Sequence, residues 1–498
     1  MWNRRYLPAV VFLLIVGLVL LQPRSQEYTK SIILQHGRKR TSKLHLLVPA
    51  SNPHVQLCRA LVSSAILGYP PAVLSGWNGT GDLDASITHL AKVRNVVRYL
   101  DSIPPSDDDD LILIIDGYDV IMQLPAEIMI QRYFAVTEAA NAKLAARFGD
   151  GYTSLPHAHR PRQSILFGPD KLCWPVDFRR PACFAAPETG LPKDAFGIGD
   201  DDSNSQPRWL NSGTIMGPVG SMREMFAATI DRIQATYDPE YICRESDQMY
   251  MSDVWGEQEY ARSMREFQLK TTGHADEQEY VPDGGVEEKW IPDIAPGQKT
   301  EYQIGLDYES SLFQSWAGYE RFLDLLPYNG TNYTALVTQN VNDAPDFKPY
   351  EISLPTAVTS SLAHLLSSVS RAHNTNPFDL VTTLHLGTNL VTRHVYGLFH
   401  CTGEKGYLDE LWGRLWFYPY AKELLSAAIT SVKSGADIST TPVNGRLWKG
   451  AKTYPATPAD VNGEVAYGAW ADLSNEWLDW GQLCREHEGV LFGEEQLT

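Results

Sequence analysis

Leu111-Ile112-Leu113-Ile114-Ile115-Asp116-Gly117-Tyr118-Asp119 is the stretch on which the fold turns. A short, unbroken run of Leu and Ile reads as a strand buried on both faces, the condition found in parallel sheets of α/β proteins. Two carboxylates follow directly, three residues apart on a turn. Ligands of open α/β sheets bind beyond the carboxyl ends of the strands. Asp116 and Asp119 therefore stand where one hard cation, Mn2+ or Mg2+, could be held with positions left open for a substrate diphosphate. The competing reading is an ordinary turn, since Asp is a normal residue at strand ends.

Upstream, the pattern predicts the rest of a β-α-β-α-β unit. Leu44 to Val48 reads as a buried strand, with Asn52 as helix N-cap and Pro53 at the first helical position. Val55, Cys58, Val62, Ala65 and Ile66 share one helical face. Ala72 to Leu74 reads as a second strand, and Ile87, Leu90, Val93, Val97 and Leu100 mark a second amphipathic helix. This order argues for an α/β nucleotide-binding architecture with right-handed crossovers. No GxGxxG follows the first strand and no Walker A motif exists, so neither a dinucleotide site nor a P-loop is expected. The acidic run Asp107 to Asp110 precedes the central strand and reads as a solvated loop.

Composition narrows the class. The chain has 498 residues, 43% hydrophobic and 20% charged, which excludes wholesale disorder and a multi-pass membrane protein. Its formal charge of −18 makes nucleic-acid binding a poor expectation. Arg4 and Arg5 precede an apolar run from Tyr6 to Leu21, and no good cleavage site follows it. A run this short also fits a cleaved signal peptide. The preferred reading is a cytosolic tail (1–5), a signal-anchor helix (6–22) and a stem (23–42), giving a single-pass type II protein of the Golgi or endoplasmic reticulum membrane with its bulk in the lumen. Glycosylation acceptors at Asn78, Asn329 and Asn332 agree with that compartment. There Cys58, Cys173, Cys183, Cys243, Cys401 and Cys484 could pair, and the sequence does not choose among the pairings. The polar segment 262–300 reads as a surface excursion.

Three further segments carry chemistry-bearing residues. Leu210-Asn211-Ser212-Gly213 is a small polar cluster between apolar stretches, suited to a close backbone approach or to a simple turn. A helix follows it, with Met222, Phe226, Ile230 and Ile233 on one face. Glu245-Ser246-Asp247-Gln248 opens another helix, where acidic residues are ordinary complements of the dipole. Phe399-His400-Cys401-Thr402-Gly403-Glu404-Lys405 places an imidazole at a strand end and a lysine five residues later. The imidazole could complete a metal shell, favouring Mn2+ over Mg2+.

Taken in order, these motifs resemble the glycosyltransferase domain of the procollagen lysyl hydroxylase family. The likeness runs from Lys43 to about Trp416, through Lys43 to Ala50, Gly76-Trp77-Asn78-Gly79, Lys92-Val93-Arg94, Asp116 to Asp119, Leu210 to Gly213, Glu245 to Gln248 and His400 to Lys405. It implies a GT-A fold, a Rossmann-like mixed sheet flanked by helices, over residues 43–420, with 421–498 as a carboxyl-terminal elaboration packed on it. It further implies a transferase that uses a nucleotide-sugar donor, a UDP-sugar, and a glycan or glycoprotein acceptor. Asp116, Asp119 and His400 would hold Mn2+. Lys405 and Lys92 would stand at the diphosphate, Trp77 and Tyr118 at the nucleoside, and Asn211, Ser212 and Asp247 near the transferred sugar. The family's hydroxylase domain has no counterpart, and Glu245 and Ser246 stand where the family is richer in Asp. A non-catalytic lumenal binding protein and a metal-dependent phosphohydrolase are the alternative readings.

Overall fold

The computed structural model describes residues 40–149, 151–155, 160–199, 201–271, 288–455 and 467–493. The expected tail, the signal-anchor and all of the stem before residue 40 lie outside them. Among the described residues no helix is long and apolar enough to cross a membrane.

Strands β1 (Arg40–Pro49), β2 (Val73–Ser75), β3 (Leu111–Ile115), β4 (Val120–Met122), β5 (Ile165–Asp170) and β6 (Trp209–Pro218) come first. Then follow β7 (Ile304–Leu306), β8 (Phe313–Ser315), β9 (Leu323–Pro327), β10 (Thr334–Val337), β11 (Tyr350–Ser353) and β12 (His385–Asn389). The last are β13 (His394–Val395), β14 (Leu398–His400), β15 (Arg446–Gly450), β16 (Gly468–Ala471) and β17 (Trp477–Asp479). The main sheet has the order β17-β16-β2-β1-β3-β6-β5-β7, with β15 alongside β1. β2, β3 and β15 run parallel to β1, whereas β6 is antiparallel to both β3 and β5. The fold is thus α/β with a mixed sheet flanked by helices, compatible with a Rossmann-like architecture.

Side-chain alternation along the central strands feeds two separate cores, one on each face. Leu111, Leu113 and Ile115 of β3 join Leu44, Leu46 and Val48 of β1 on one face. That core also takes up helices α1 (Val55–Ile66) and α3 (Ala126–Phe148). Ile112 and Ile114 enter the other core, with helices α2 (Ala91–Asp101), α4 (Val219–Thr236) and α5 (Asp247–Thr271). Every residue of β3 is buried, which is why the run carries no polar position. Full burial of each Leu or Ile contributes about 1.5–3 kcal/mol, so a charge at Ile114 would open a core rather than a surface.

Several expectations shift in register. α1 starts at Val55, not at Pro53, and its N-cap is His54, whose side chain accepts from the Gln56 amide. Asn52 is engaged instead by the Tyr118 hydroxyl, which donates to its Oδ1 at 2.9 Å. β2 covers Val73–Ser75 rather than Ala72 to Leu74. α2 begins after Leu90, and Ile87 is 68% exposed because it precedes the helix. β1 starts at Arg40, inside the expected stem, because β15 pairs with Arg40 to Leu44. The excursion begins later than residue 262, since α5 continues to Thr271; residues 272–287 lie outside the described part. The acidic run is no free solvated loop. Lys43 Nζ meets Asp107 Oδ2 at 2.6 Å, Arg223 meets Asp108 at 2.6 Å, and Arg446 meets Asp109 at 3.0 Å. Asp110 accepts from the Lys43 amide at 2.7 Å.

The carboxyl-terminal segment does more than pack on the domain. β15 lies beside the first half of β1 while β2 pairs with its second half. β16 extends the sheet beyond β2, and β17 folds back on β16. A disulfide joins Cys58 of α1 to Cys484, 426 residues later, and a second joins Cys173 to Cys183. Cys243 and Cys401 are free. A bridge closing so long a loop restricts the unfolded chain strongly. Replacing Cys58 and Cys484 together by Ala should lower stability by about 2–5 kcal/mol, seen as a lower calorimetric Tm. Identical melting of variant and parent would show the bridge to be dispensable.

Candidate active site

One edge of the sheet collects the functional residues. β5 runs parallel to β3, since each is antiparallel to the β6 strand between them. The carboxyl ends of β1, β3 and β5 therefore meet the amino end of β6. Asp116 leaves β3 there, with its amide donating to the Gly213 carbonyl at 2.8 Å. Gly117 then passes against β1, where a Cβ would stand 2.6 Å from the Pro49 carbonyl oxygen. Asp119 leads into β4, which pairs antiparallel with β14 so that Val120 faces His400. The Cys401 amide donates to the Asp119 carbonyl at 2.8 Å.

This pairing returns the late segment to the early turn, as the sequence reading expects. His400 Nε2 lies 3.4 Å from Asp119 Oδ1 and 3.9 Å from Asp116 Oδ2. One ligand atom from each of the three residues falls within 4.8 Å of the others. Two observations fit this trio to a cation. Asp119 Oδ1 is buried and accepts no hydrogen bond, which is costly unless something positive satisfies it. Gly213 keeps the space clear, since a Cβ there would lie 2.1 Å from His400 Cε1 and 2.9 Å from Asp116 Oδ2. Two carboxylates and one imidazole make a donor set suited to Mn2+ and tolerant of Mg2+.

Lysines bracket the trio. Lys92 Nζ lies 2.7 Å from Asp116 Oδ1 and 2.8 Å from Asp247 Oδ2, and donates to the Ser212 carbonyl at 3.2 Å. Its side chain is 13% exposed, so it joins two carboxylates rather than standing free for a phosphate. Burial alone would lower its pKa, but Asp116 and Asp247 outweigh that and raise it. Lys405 pairs with Asp119 Oδ2 and donates to the Cys401 carbonyl at 2.7 Å. Half of its side chain is exposed, leaving it accessible from outside. The two aspartates respond differently. Burial raises the Asp116 carboxyl despite Lys92, whereas at Asp119 burial is overcome by His400 and Lys405, and its pKa falls.

A bulge delivers the Asn-Ser-Gly segment. Phe167 of β5 pairs with Ile215, but the next residue, Gly168, pairs with Asn211. Ser212, Gly213 and Thr214 thus bow out from β5, a distortion that re-aims side chains beside sites. Asn211 Oδ1 accepts from the Gly213 amide at 2.9 Å, and its Nδ2 donates to Asp170 Oδ2 at 3.2 Å. The Ser212 amide donates to Gln248 Oε1 at 3.3 Å. Asp247 is the first residue of α5. Glu245 is occupied elsewhere, accepting from Thr88 at 2.6 Å and from Tyr237 at 2.9 Å.

Asp170 is the residue the sequence reading missed. Burial raises its carboxyl, with Asn211 and the Lys171 amide pulling the other way. Its signal was available: like Asp116, it is an acidic residue closing an apolar strand that points to the same sheet edge. The two aromatic candidates take different positions. Tyr118 is partly buried, and its hydroxyl accepts from the Ser51 amide at 3.0 Å, which fixes it against the turn after β1. Trp77 follows β2 and is only 7% exposed within the larger core, so it offers a ligand little of its surface.

A scan against protein-family models and a search of curated proteins both return no match. The Gly213→Ala variant should weaken Mn2+ binding by about 10–100-fold, the scale of disturbing the support of a metal ligand. Gly413→Ala, where a Cβ meets nothing within 4 Å, is the matched control. Unchanged Mn2+ affinity in a calorimetric titration of Gly213→Ala would remove the cation from this position.

Proposed function

We propose that the protein is a metal-dependent glycosyltransferase of GT-A type that moves a sugar from a UDP-sugar to a lumenal glycan or glycoprotein acceptor. The observation that carries this reading is the convergence of Asp116, Asp119 and His400 around the bare Gly213, with a lysine on either side. The motifs shared with the procollagen lysyl hydroxylase transferase domain supply the donor class. The membrane anchor at 6–22 and the Golgi or endoplasmic reticulum location belong to the same proposal.

Each residue then has a task. Asp116, Asp119 and His400 hold Mn2+, or Mg2+ in its place, which would neutralise the donor diphosphate and assist its departure. Lys405, accessible and already at the carboxylates, adds positive charge at the leaving group. Lys92 fixes Asp116 and Asp247 relative to one another. Tyr118 and the loop backbone around the buried Trp77 border the nucleoside. Asn211 at the foot of the bulge and Ser212 within it face the sugar, and Asp247 acts there as the acid/base or charge-stabilising carboxylate. A phosphohydrolase would leave the Asn-Ser-Gly bulge and Lys405 without a task.

A panel of nucleotide sugars with residues 25–498 and Mn2+ tests the class. Release of nucleoside diphosphate is expected, and release of inorganic phosphate alone would sink the proposal. Variants then separate the roles. Asp116→Asn should weaken Mn2+ and donor binding together. Asp247→Asn keeps the shape and removes the carboxylate charge that faces Lys92, so donor binding should persist while turnover falls by at least ~100-fold. Normal turnover in Asp247→Asn would reduce that helix start to a structural ion pair.

A further inference from the structure

We infer that the carboxyl-terminal hairpin is a working part of the donor site, with Asp472 positioning the loop between Gly76 and Leu83. This rests on the transferase reading above, which places that loop beside the nucleoside.

The loop leaves the carboxyl end of β2, on the sheet edge that carries Asp116. Its backbone shape is demanding. Gly76 has φ of +82°, and a Cβ there would stand 2.6 Å from Asn95 Nδ2. The Gly79 amide donates to the Gly76 carbonyl at 3.0 Å, and a Cβ on Gly79 would meet the Leu83 carbonyl oxygen at 2.0 Å. A turn this tight, with positive φ at Gly76 and Asn78, needs outside support to persist.

Asp472 gives that support from the far end of the chain. It follows β16, which pairs with β2 and carries it into register. Its own amide donates to the Leu74 carbonyl at 3.1 Å. Its side chain is 1% exposed, accepts from the Gly76 amide at 3.0 Å through Oδ1, and pairs with Arg98 through Oδ2. A buried carboxylate accepting a backbone N–H at the first residue of a turn fixes where that turn begins.

α2 connects this strap to the carboxylates. Lys92, Asn95 and Arg98 follow each other at steps of three along the helix, so their side chains neighbour one another. Lys92 holds Asp116 and Asp247, Asn95 Nδ2 donates to the Leu83 carbonyl at 2.9 Å, and Arg98 holds Asp472. One helix thus ties together the metal carboxylate, the end of the loop and the strap. Asp472 is a positioning residue. It touches neither the trio nor, on this account, the sugar.

The test compares Asp472→Ala with Asp472→Asn, whose Oδ1 can still accept from Gly76. Three quantities are read: amide hydrogen exchange in Gly76 to Leu83, affinity for UDP with Mn2+, and affinity for Mn2+ alone. For Asp472→Ala, exchange in the loop should rise, UDP affinity should fall by about 10-fold or more, and Mn2+ affinity should stay. Asp472→Asn should recover most of the UDP affinity. Loop exchange and UDP affinity unchanged in Asp472→Ala would overturn the strap and leave the transferase reading intact. So would equal losses in Ala and Asn, or a parallel loss of Mn2+ affinity, which mark a general weakening of the fold. Wild-type protein that binds no UDP would overturn the donor reading, and the positioning role with it.

Discussion

The antiparallel pairing of β14 with β4 is the constraint on which the rest depends. It sets His400 opposite Val120 and so places an imidazole over a turn formed early in the chain. Lys405 reaches Asp119 across 286 residues for the same reason. Closing so large a loop costs entropy that grows only slowly with its length, and the strands that close it are buried. β8 supports β14 from the other side, with Ser315 beside His400, and Thr402 accepts from the Trp316 amide at 3.1 Å and the Ala317 amide at 2.9 Å. A centre assembled this way draws its ligand atoms from an early turn and a late strand together. The carboxylates alone would be two acidic groups on a turn, one of them with a buried oxygen and no partner.

Charge balance explains the rest of the centre. Two aspartates at one turn repel each other, and burial makes each harder to ionise. Lys92 pairs with Asp116 and Lys405 with Asp119, one enclosed and one half exposed. Their environments assign different work. The enclosed lysine fixes the spacing of Asp116 and Asp247, whereas the exposed one keeps a face open to the outside. Glycine at position 213 is the steric counterpart of this balance, since any side chain there would occupy the space the ligand atoms enclose.

How much of this was legible in the sequence follows from the range of the forces involved. The strand Leu111 to Ile115 was legible because burial on two faces leaves a continuous apolar run. The trio was legible because metal-ligand chemistry restricts residue type strongly and the motif order was distinctive. Helix and strand ends were less so: Asn52 looks like an N-cap, but Tyr118, distant in sequence, takes its side chain. Asp170 closes an apolar strand as Asp116 does, a signal the sequence offers, but its place at the site also requires β5 to run parallel to β3. The bulge at Ser212 to Thr214 and the place of β15 and β16 in the main sheet depend on pairing between remote segments, which no local pattern encodes.

On the proposed function, Asp116, Asp119 and His400 share one cation. Electron spin-echo envelope modulation of the Mn2+-loaded protein tests it most directly, because it detects a nitrogen bonded to the metal. Modulation from one imidazole nitrogen is expected, and it should disappear in His400→Gln. A Mn2+ spectrum with no nitrogen coupling in the parent protein, or with coupling that survives His400→Gln, would contradict it.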